Sequence, residues 1–276
     1  MKIIDAQVHI WGQTVKPPTG AHRKVSKFTA EELLREMDGA DVDAALIHPP
    51  SSWDPDSNAL AVEAARKYPD RFAVMGQFPP DNPNNEKLIP DWRKQPGMKG
   101  LRWSLLYPDE QRLLHEGKLD WIWPAAEKAG LPVAMMGGLF LPQFRKIAEA
   151  HPALKLIIDH CGLLRLEKDE AAFGNLEGLL PLAKLPNVAI KATGAPGYST
   201  QPYPFRNLHD GLHRIFDAFG PDRFFWGTDI TRMPCSYRHC VTLFIEELPW
   251  LEGPDLEKVM GRALCKWIGW DYKFDN

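Results

Sequence analysis

Hydrophobic positions along this chain recur in short continuous runs, each followed by a longer stretch of mixed polar and apolar residues. The eight runs span residues 2–10, 42–49, 71–78, 98–104, 131–137, 154–161, 187–193 and 223–229. Apolar runs without polar alternation are typical of strands that are buried on both faces, as in a parallel sheet. The pattern therefore predicts eight buried strands.

The stretches between these runs have the hydrophobic spacing of amphipathic helices. Examples are TAEELLREMDGA, NALAVEAARKY, LDWIWPAAEKAG, LPQFRKIAEAH and NLHDGLHRIFDAFG. Thr29 and Asn58 are the expected amino-terminal caps of the first two. Eight strand-helix repeats predict an α/β fold, a (β/α)8 TIM barrel, as one domain over residues 1–276. An open doubly wound sheet is the main alternative, but no strand is followed by a glycine-rich phosphate-binding turn.

The composition limits the classes of molecule that we expect this protein to bind. With 33 Lys and Arg against 36 Asp and Glu, the net charge of -3 leaves no cationic surplus for nucleic acid or an anionic membrane. No apolar run approaches the roughly 18 residues of a membrane span, and the amino terminus lacks the pattern of a signal peptide. We therefore expect a cytoplasmic protein that acts on a small molecule. Its aromatic content is compatible with a homodimer.

The four cysteines are not arranged as a metal or redox motif. No two of them are separated by two residues, the Cys-x-x-Cys spacing that is typical of structural zinc sites and dithiol redox motifs. We therefore expect free thiols at Cys161, Cys235, Cys240 and Cys265.

Polar residues at the carboxyl ends of the strands are the candidates for chemistry, because the active site of a (β/α)8 barrel forms there. The runs end in Gln7, His9, His48, Gln77, Arg102, Trp103, Asp159, His160, Lys191, Thr193 and Asp229. The fifth run ends instead in Met135 and Met136, which neither titrate nor bind hard cations. The coincidence of His9, His160 and Asp229 at matching strand ends favours a shared function over three separate packing roles.

Other polar residues have two readings each. Arg102 either binds an anion or pairs with a neighbouring carboxylate, and Lys191 either faces the site or points into the helix layer. His48 is either a substrate contact or a loop residue. Asp5 is expected to be structural, because its side chain would share the face of Gln7 and His9 but lie about two residues deeper in the barrel. The remaining histidines are expected mostly at the surface: His22, His115, His151, His209, His213 and His239.

Three segments carry a family resemblance. IIDAQVHIW resembles the first-strand Asp-x-His-x-His motif of the amidohydrolase superfamily. HPALKLIIDHCG and FFWGTDIT resemble the sixth-strand and eighth-strand segments of its amidohydrolase-related branch, family 2. The likeness extends from residue 3 to about residue 268, and the three motifs fall in order on the predicted strands. It implies an amidohydrolase-like barrel.

The resemblance also implies a metal site, which this sequence reproduces only in part. In metal-dependent members, two first-strand histidines, histidines from strands five and six, and the eighth-strand aspartate hold one or two divalent ions. His9, His160 and Asp229 match these positions, whereas Gln7 and Met136 replace two histidines. The resemblance therefore implies at most one zinc or manganese ion, and catalysis without metal is an alternative. Arg262 also departs from the family's usual asparagine.

The activity implied is hydrolysis of a lactone or similarly activated carbonyl in a small, carboxylated, ring-derived substrate. Asp229 would accept a proton from water, and His9 and His160 would hold a metal or donate to the carbonyl oxygen. The expected substrate-binding residues are Arg102, His48, Gln7 and Tyr198. A metal-dependent decarboxylase of aromatic acids and a non-catalytic binding protein are the alternatives.

Overall fold

Eight parallel strands form a single sheet in the computed structural model. The structure describes residues 1–18 and 20–274, so residues 19, 275 and 276 of the expected domain lie outside the description. The strands are β1 (Ile4–Val8), β2 (Ala44–Ile47), β3 (Phe72–Gly76), β4 (Met98–Trp103), β5 (Val133–Met136), β6 (Leu156–Asp159), β7 (Val188–Thr193) and β8 (Phe224–Gly227). They pair in chain order from β1 to β8. The backbone N–H of Asp229, just after β8, donates to the carbonyl oxygen of Gln7 in β1 at 2.8 Å, which leaves a nearly closed barrel. The predicted strands and barrel are confirmed.

Helices between the strands and after β8 cover the barrel, and the last of them lies at its amino-terminal end. They are α1 (Ala30–Asp38), α2 (Ser57–Lys67), α3 (Pro108–His115), α4 (Ile122–Lys128), α5 (Leu141–Ala150), α6 (Asp169–Ala172), α7 (Leu176–Leu179), α8 (His209–Phe219), α9 (Tyr237–Glu246), α10 (Gly253–Glu257) and α11 (Ala263–Ile268). The β3–β4 connection is instead a 3-10 segment, Pro83–Lys94, which contains Pro90. No helix in the described ranges is long and apolar enough to cross a membrane.

One of the two expected helix caps is confirmed. Thr29 caps α1 in a complete capping box, in which its side chain accepts from the backbone N–H of Glu32 and the Glu32 carboxylate accepts from that of Thr29. The prediction for Asn58 is wrong, because α2 already begins at Ser57. The Asn58 side chain bonds instead to the backbone of Gln77 and so ties α2 to the end of β3.

The barrel is closed at one end and open at the other. Small and apolar side chains such as Ala6, Ala73 and Ile157 fill its interior and pack against Leu264 and Ile268 of α11. The turn directly before α11 lies against the start of β1, since a Cβ on Gly261 would contact Ile4. The amino-terminal end is thereby covered, which leaves the carboxyl ends of the strands for a site.

Candidate active site

A cavity of about 1010 Å³ lies at the carboxyl ends of the strands. Of the seven residues expected to catalyse or to bind substrate, four line it: His9, Arg102, His160 and Asp229. Trp53 and Trp103 contribute flat apolar surface to its walls. The cavity therefore combines an apolar wall with a few converging polar groups, as small-molecule sites do.

Asp229 lies at the centre of the polar groups. Its Oδ1 atom is 3.3 Å from Nε2 of His9, and its Oδ2 atom is 3.9 Å from Nε2 of His160. Asp229 and His160 both adopt left-handed backbone conformations, with φ of 53° and 55°. Such backbone is uncommon for residues other than glycine and is concentrated at functional sites. The three residues that the strand-end argument selected are thus brought together.

The first strand presents its polar side chains to two different surroundings. The β1–β2 register shifts between Asp5 and Val8, and irregularities of this kind re-aim side chains. Asp5 accepts from the hydroxyls of Thr228 and Tyr237, the latter at 2.6 Å in α9. Gln7, by contrast, contacts His160. The structural role of Asp5 is confirmed, but its expected position on the face of Gln7 is wrong.

Lys191 is fully buried in a polar cluster below the cavity. Its ammonium lies 2.7 Å from Oδ1 of Asp159, donates to Oε1 of Gln7 at 2.9 Å and lies 3.2 Å from Nε2 of His48. An orientation into the helix layer is thereby excluded. Burial lowers the pKa of Lys191 to about 8, and the attraction of Asp159 opposes that decrease. The ammonium and the carboxylate neutralise each other beneath the floor of the site.

Arg102 pairs with a neighbouring carboxylate, which was one of its two expected roles, and keeps donors that the other role, anion binding, would use. Its Nε atom donates to Oδ2 of Asp159 at 2.9 Å, which fixes the guanidinium in place. Its two Nη atoms have no hydrogen-bond partner among the residues described, and the side chain lines the cavity. A planar fork with free donors matches the two oxygens of a carboxylate.

The other expected substrate-binding residues lie behind the cavity surface. Gln7 and His48 are completely buried, and Tyr198 is 2 % exposed, with its ring beside the guanidinium of Arg232. None of the three lines the main cavity as the structure describes it. Their contact with substrate stays a prediction.

Two residues at the cavity, His22 and Arg232, are not among those predicted from the sequence. The expectation that His22 lies at the surface is wrong, because its ring packs edge-on to that of His9 with centroids 5.2 Å apart. Arg232 also lines the cavity, and its guanidinium is 3.4 Å from Oδ2 of Asp229. Arg232 could have been found from its place three residues after Asp229, whereas His22 has no signal beyond its position in a long loop after β1.

The residues present fit a divalent cation. Ring nitrogens of His9 and His22 and a carboxylate oxygen of Asp229 all lie within 4.8 Å of one another. Nδ1 of His9 is 2.5 Å from the carbonyl oxygen of His48, which only accepts, so Nδ1 carries a proton and, in the neutral ring, Nε2 has the lone pair. That lone pair faces Oδ1 of Asp229, a buried oxygen without a hydrogen-bond partner in the described part of the chain. Two acceptor atoms repel each other at this distance, so a cation or a proton between Nε2 of His9 and Oδ1 of Asp229 would stabilise the contact.

The protonation states agree with such a site. Burial lowers the pKa of His22 to about 3, and burial together with Arg232 lowers that of His160 to about 3. Both rings are therefore neutral near pH 7, as ligands must be. Burial alone would raise the pKa of Asp229, but His22, His9 and Arg232 outweigh it and hold that pKa well below its usual range.

Solved structures share this fold. No curated protein matches the chain in sequence. A zinc-bound amidohydrolase from Burkholderia multivorans is 19% identical with a TM-score of 0.80, over 98% of this chain and 99% of that one. A probable 2-pyrone-4,6-dicarboxylic acid hydrolase from Acinetobacter baumannii is 17% identical with a TM-score of 0.71, over 98% and 100%. A 2,6-dihydroxybenzoate decarboxylase from Rhizobium is 14% identical with a TM-score of 0.71, over 98% and 99%.

These identities show a common fold and leave the activity open, since the neighbours include both a hydrolase and a decarboxylase. The sequence profile of one family, described as amidohydrolase, matches residues 4–273. The match covers almost the whole chain and includes the strand ends that carry His9, His160 and Asp229. The chain belongs to the amidohydrolase family.

Proposed function

We propose that this protein hydrolyses a lactone or similarly activated carbonyl in a small, carboxylated, ring-derived substrate. The observation that carries the proposal is the position of Asp229, an ionised carboxylate at the cavity floor whose Oδ1 atom has no hydrogen-bond partner among the described residues. An acceptor of this kind can take a proton from an attacking water molecule. The aromatic walls and the open Arg102 fork suit a ring that carries a carboxylate.

The two oxygens of Asp229 have different surroundings. Oδ2 is 3.4 Å from the guanidinium of Arg232, which fixes the carboxylate and keeps it ionised. Oδ1 is turned toward His9; even when it shares one lone pair with a cation or with a proton on that ring, its second lone pair can accept the proton of the water. Arg232, which also lines the cavity, is in addition placed to attract a developing oxyanion.

A cation on His9 and Asp229 has a defined role in this proposal. A divalent ion, with His22 or His160 as a third ligand, would lower the pKa of a bound water and polarise the carbonyl. Without metal, a proton on Nε2 of His9 would separate the two acceptors and could be donated to the carbonyl oxygen. Either way, Asp229 accepts the proton of the water and Arg102 holds the substrate carboxylate.

Decarboxylation of an aromatic acid is the second candidate, because solved decarboxylases share the fold over almost the whole chain. The purified protein should be offered carboxylated lactones and hydroxybenzoates in water enriched in ¹⁸O, with and without zinc or manganese. Hydrolysis predicts ring-opened product with one ¹⁸O in the new carboxylate and no carbon dioxide. Release of carbon dioxide from a hydroxybenzoate would replace our proposal by the second one. Saturable binding without turnover would indicate the non-catalytic binding protein.

A further inference from the structure

The loop that follows β1 places a histidine at the candidate cation site. His22 lies in this loop, and its Nδ1 atom is 2.9 Å from the hydroxyl oxygen of Thr231. The neighbouring backbone N–H of Arg23 donates to the carbonyl oxygen of Thr231 at 2.8 Å. Thr231 is only two residues from Asp229, so these bonds hold the loop directly against the turn that carries the carboxylate. They also leave Nε2 of His22 free of these partners.

His160 differs from His22 in what faces its Nε2 atom. The side-chain oxygen of Gln7 accepts from the ammonium of Lys191 at 2.9 Å, so the NH2 group of Gln7 is turned to the other side. There it lies 3.4 Å from Nε2 of His160. Since an amide NH2 group only donates, Nε2 of His160 is the acceptor and the ring proton is on Nδ1, which lies 3.0 Å from the hydroxyl oxygen and 3.2 Å from the carbonyl oxygen of Thr193. The lone pair of His160 is therefore already directed at an N–H donor.

The position of His160 relative to Asp229 is also unsuited to binding a cation. Nε2 of His160 lies 3.9 Å from Oδ2 of Asp229, the oxygen that also faces Arg232 at 3.4 Å. A divalent ion at Oδ2 would therefore lie beside a guanidinium and be repelled by it. His9 lies at Oδ1 instead, 3.3 Å away.

We propose that a divalent cation of the zinc type is held by Nε2 of His9, Nε2 of His22 and Oδ1 of Asp229, and that His160 is not a ligand. Three protein ligands with an open position are usual for a catalytic zinc ion. Hydrogen bonds to the Nδ1 atoms of both histidines orient the rings, as they do in zinc sites generally. This proposal does not depend on which reaction the protein catalyses.

One ligand on a loop couples cation binding to the position of that loop. A ligand that binds only the docked loop stabilises the docked form by mass action. Lys24 and Lys27 are exposed in this loop and are cleavage points for trypsin. Zinc should therefore slow tryptic cleavage at these two lysines.

The test is titration calorimetry of zinc into the full-length, chelator-treated protein and two matched variants, His22→Asn and His160→Asn. We expect about one zinc per chain and a Kd that rises about 100-fold or more in H22N, since even outer-shell partners contribute 10–100-fold. In H160N the Kd should change by less than about 5-fold. The reverse ranking, or no zinc binding by the parent protein, would overturn the proposal.

Two further readouts separate a lost ligand from a damaged fold. Thr231→Val keeps the His22 ring but removes its hydroxyl partner, and should weaken zinc binding by about 10-fold. Zinc should protect Lys24 and Lys27 from trypsin in the parent and in H160N but not in H22N; equal protection in H22N would contradict a loop ligand. A parent protein that hydrolyses lactones yet binds no zinc would refute this proposal and leave the proposed function standing.

Discussion

Replacement of Lys191 by methionine tests whether the buried polar cluster stabilises the barrel. The substitution keeps a long unbranched side chain, with sulfur in place of the δ-methylene, and removes the ammonium. Asp159 then loses its partner at 2.7 Å, and Oε1 of Gln7 loses its donor at 2.9 Å, both in fully buried surroundings. We expect a large loss of stability without a large cavity.

The size of the stability loss depends on the partners that Asp159 keeps in the variant. Removal of one partner from a buried ion pair costs about 3–5 kcal/mol in unfolding free energy. Arg102 still binds the other oxygen of Asp159, at 2.9 Å, so the carboxylate keeps one cation. The loss should therefore lie near the lower limit, about 3 kcal/mol. At about 2 °C per kcal/mol for a chain of this size, the melting temperature should fall by about 6 °C.

Urea and thermal denaturation of the parent and Lys191→Met, followed by circular dichroism, measure this loss. Lys67→Met is the matched control, because Lys67 pairs with Glu31 at the exposed surface and its removal should leave the unfolding free energy unchanged. A loss below about 1 kcal/mol in K191M would refute the reasoning, since it would show that Arg102 alone is sufficient for Asp159.

Three other substitutions test single contacts. Arg102→Lys keeps the charge but loses the fork, so KM for a carboxylated lactone should rise about 10-fold or more while that for its methyl ester changes little; equal changes would count against carboxylate binding. Thr29→Ala removes the α1 cap and should lower the unfolding free energy by about 1 kcal/mol in urea titrations, whereas no loss would mean that the capping box is redundant. Gly211→Ala places a Cβ 2.3 Å from the Phe173 ring and should cost about 1–3 kcal/mol in the same assay; an unchanged midpoint would show that the ring moves freely.

The barrel and the centre of its site are predictable because both follow from periodic features of the sequence. Eight apolar runs define the strands, and the fold requires the residues at their carboxyl ends to converge. His9, His160 and Asp229 are found by this rule alone, without knowledge of any contact. Asp229 is the clearest case, since it closes the last apolar run.

The position of His22 and the orientation of Lys191 depend on contacts between segments that are distant in the sequence. His22 reaches the site because its loop bonds to Thr231, 209 positions along the chain, and no local pattern encodes that bond. The direction of Lys191 depends on which acceptors neighbouring strands bring below the cavity, and two of those, Asp159 and Gln7, come from other strands. Loop paths and buried polar partners are set by tertiary packing, so periodicity cannot supply them.

In the proposed reaction, the Asp229 carboxylate accepts the proton of the attacking water. The most direct test of this claim is the kcat of the parent and of Asp229→Asn on the carboxylated lactone that the parent turns over fastest, with circular dichroism to confirm that both are folded. We predict that kcat falls by about 10²–10⁴-fold in D229N, the usual contribution of a general base. A D229N protein that is folded and retains the parent kcat would contradict the claim.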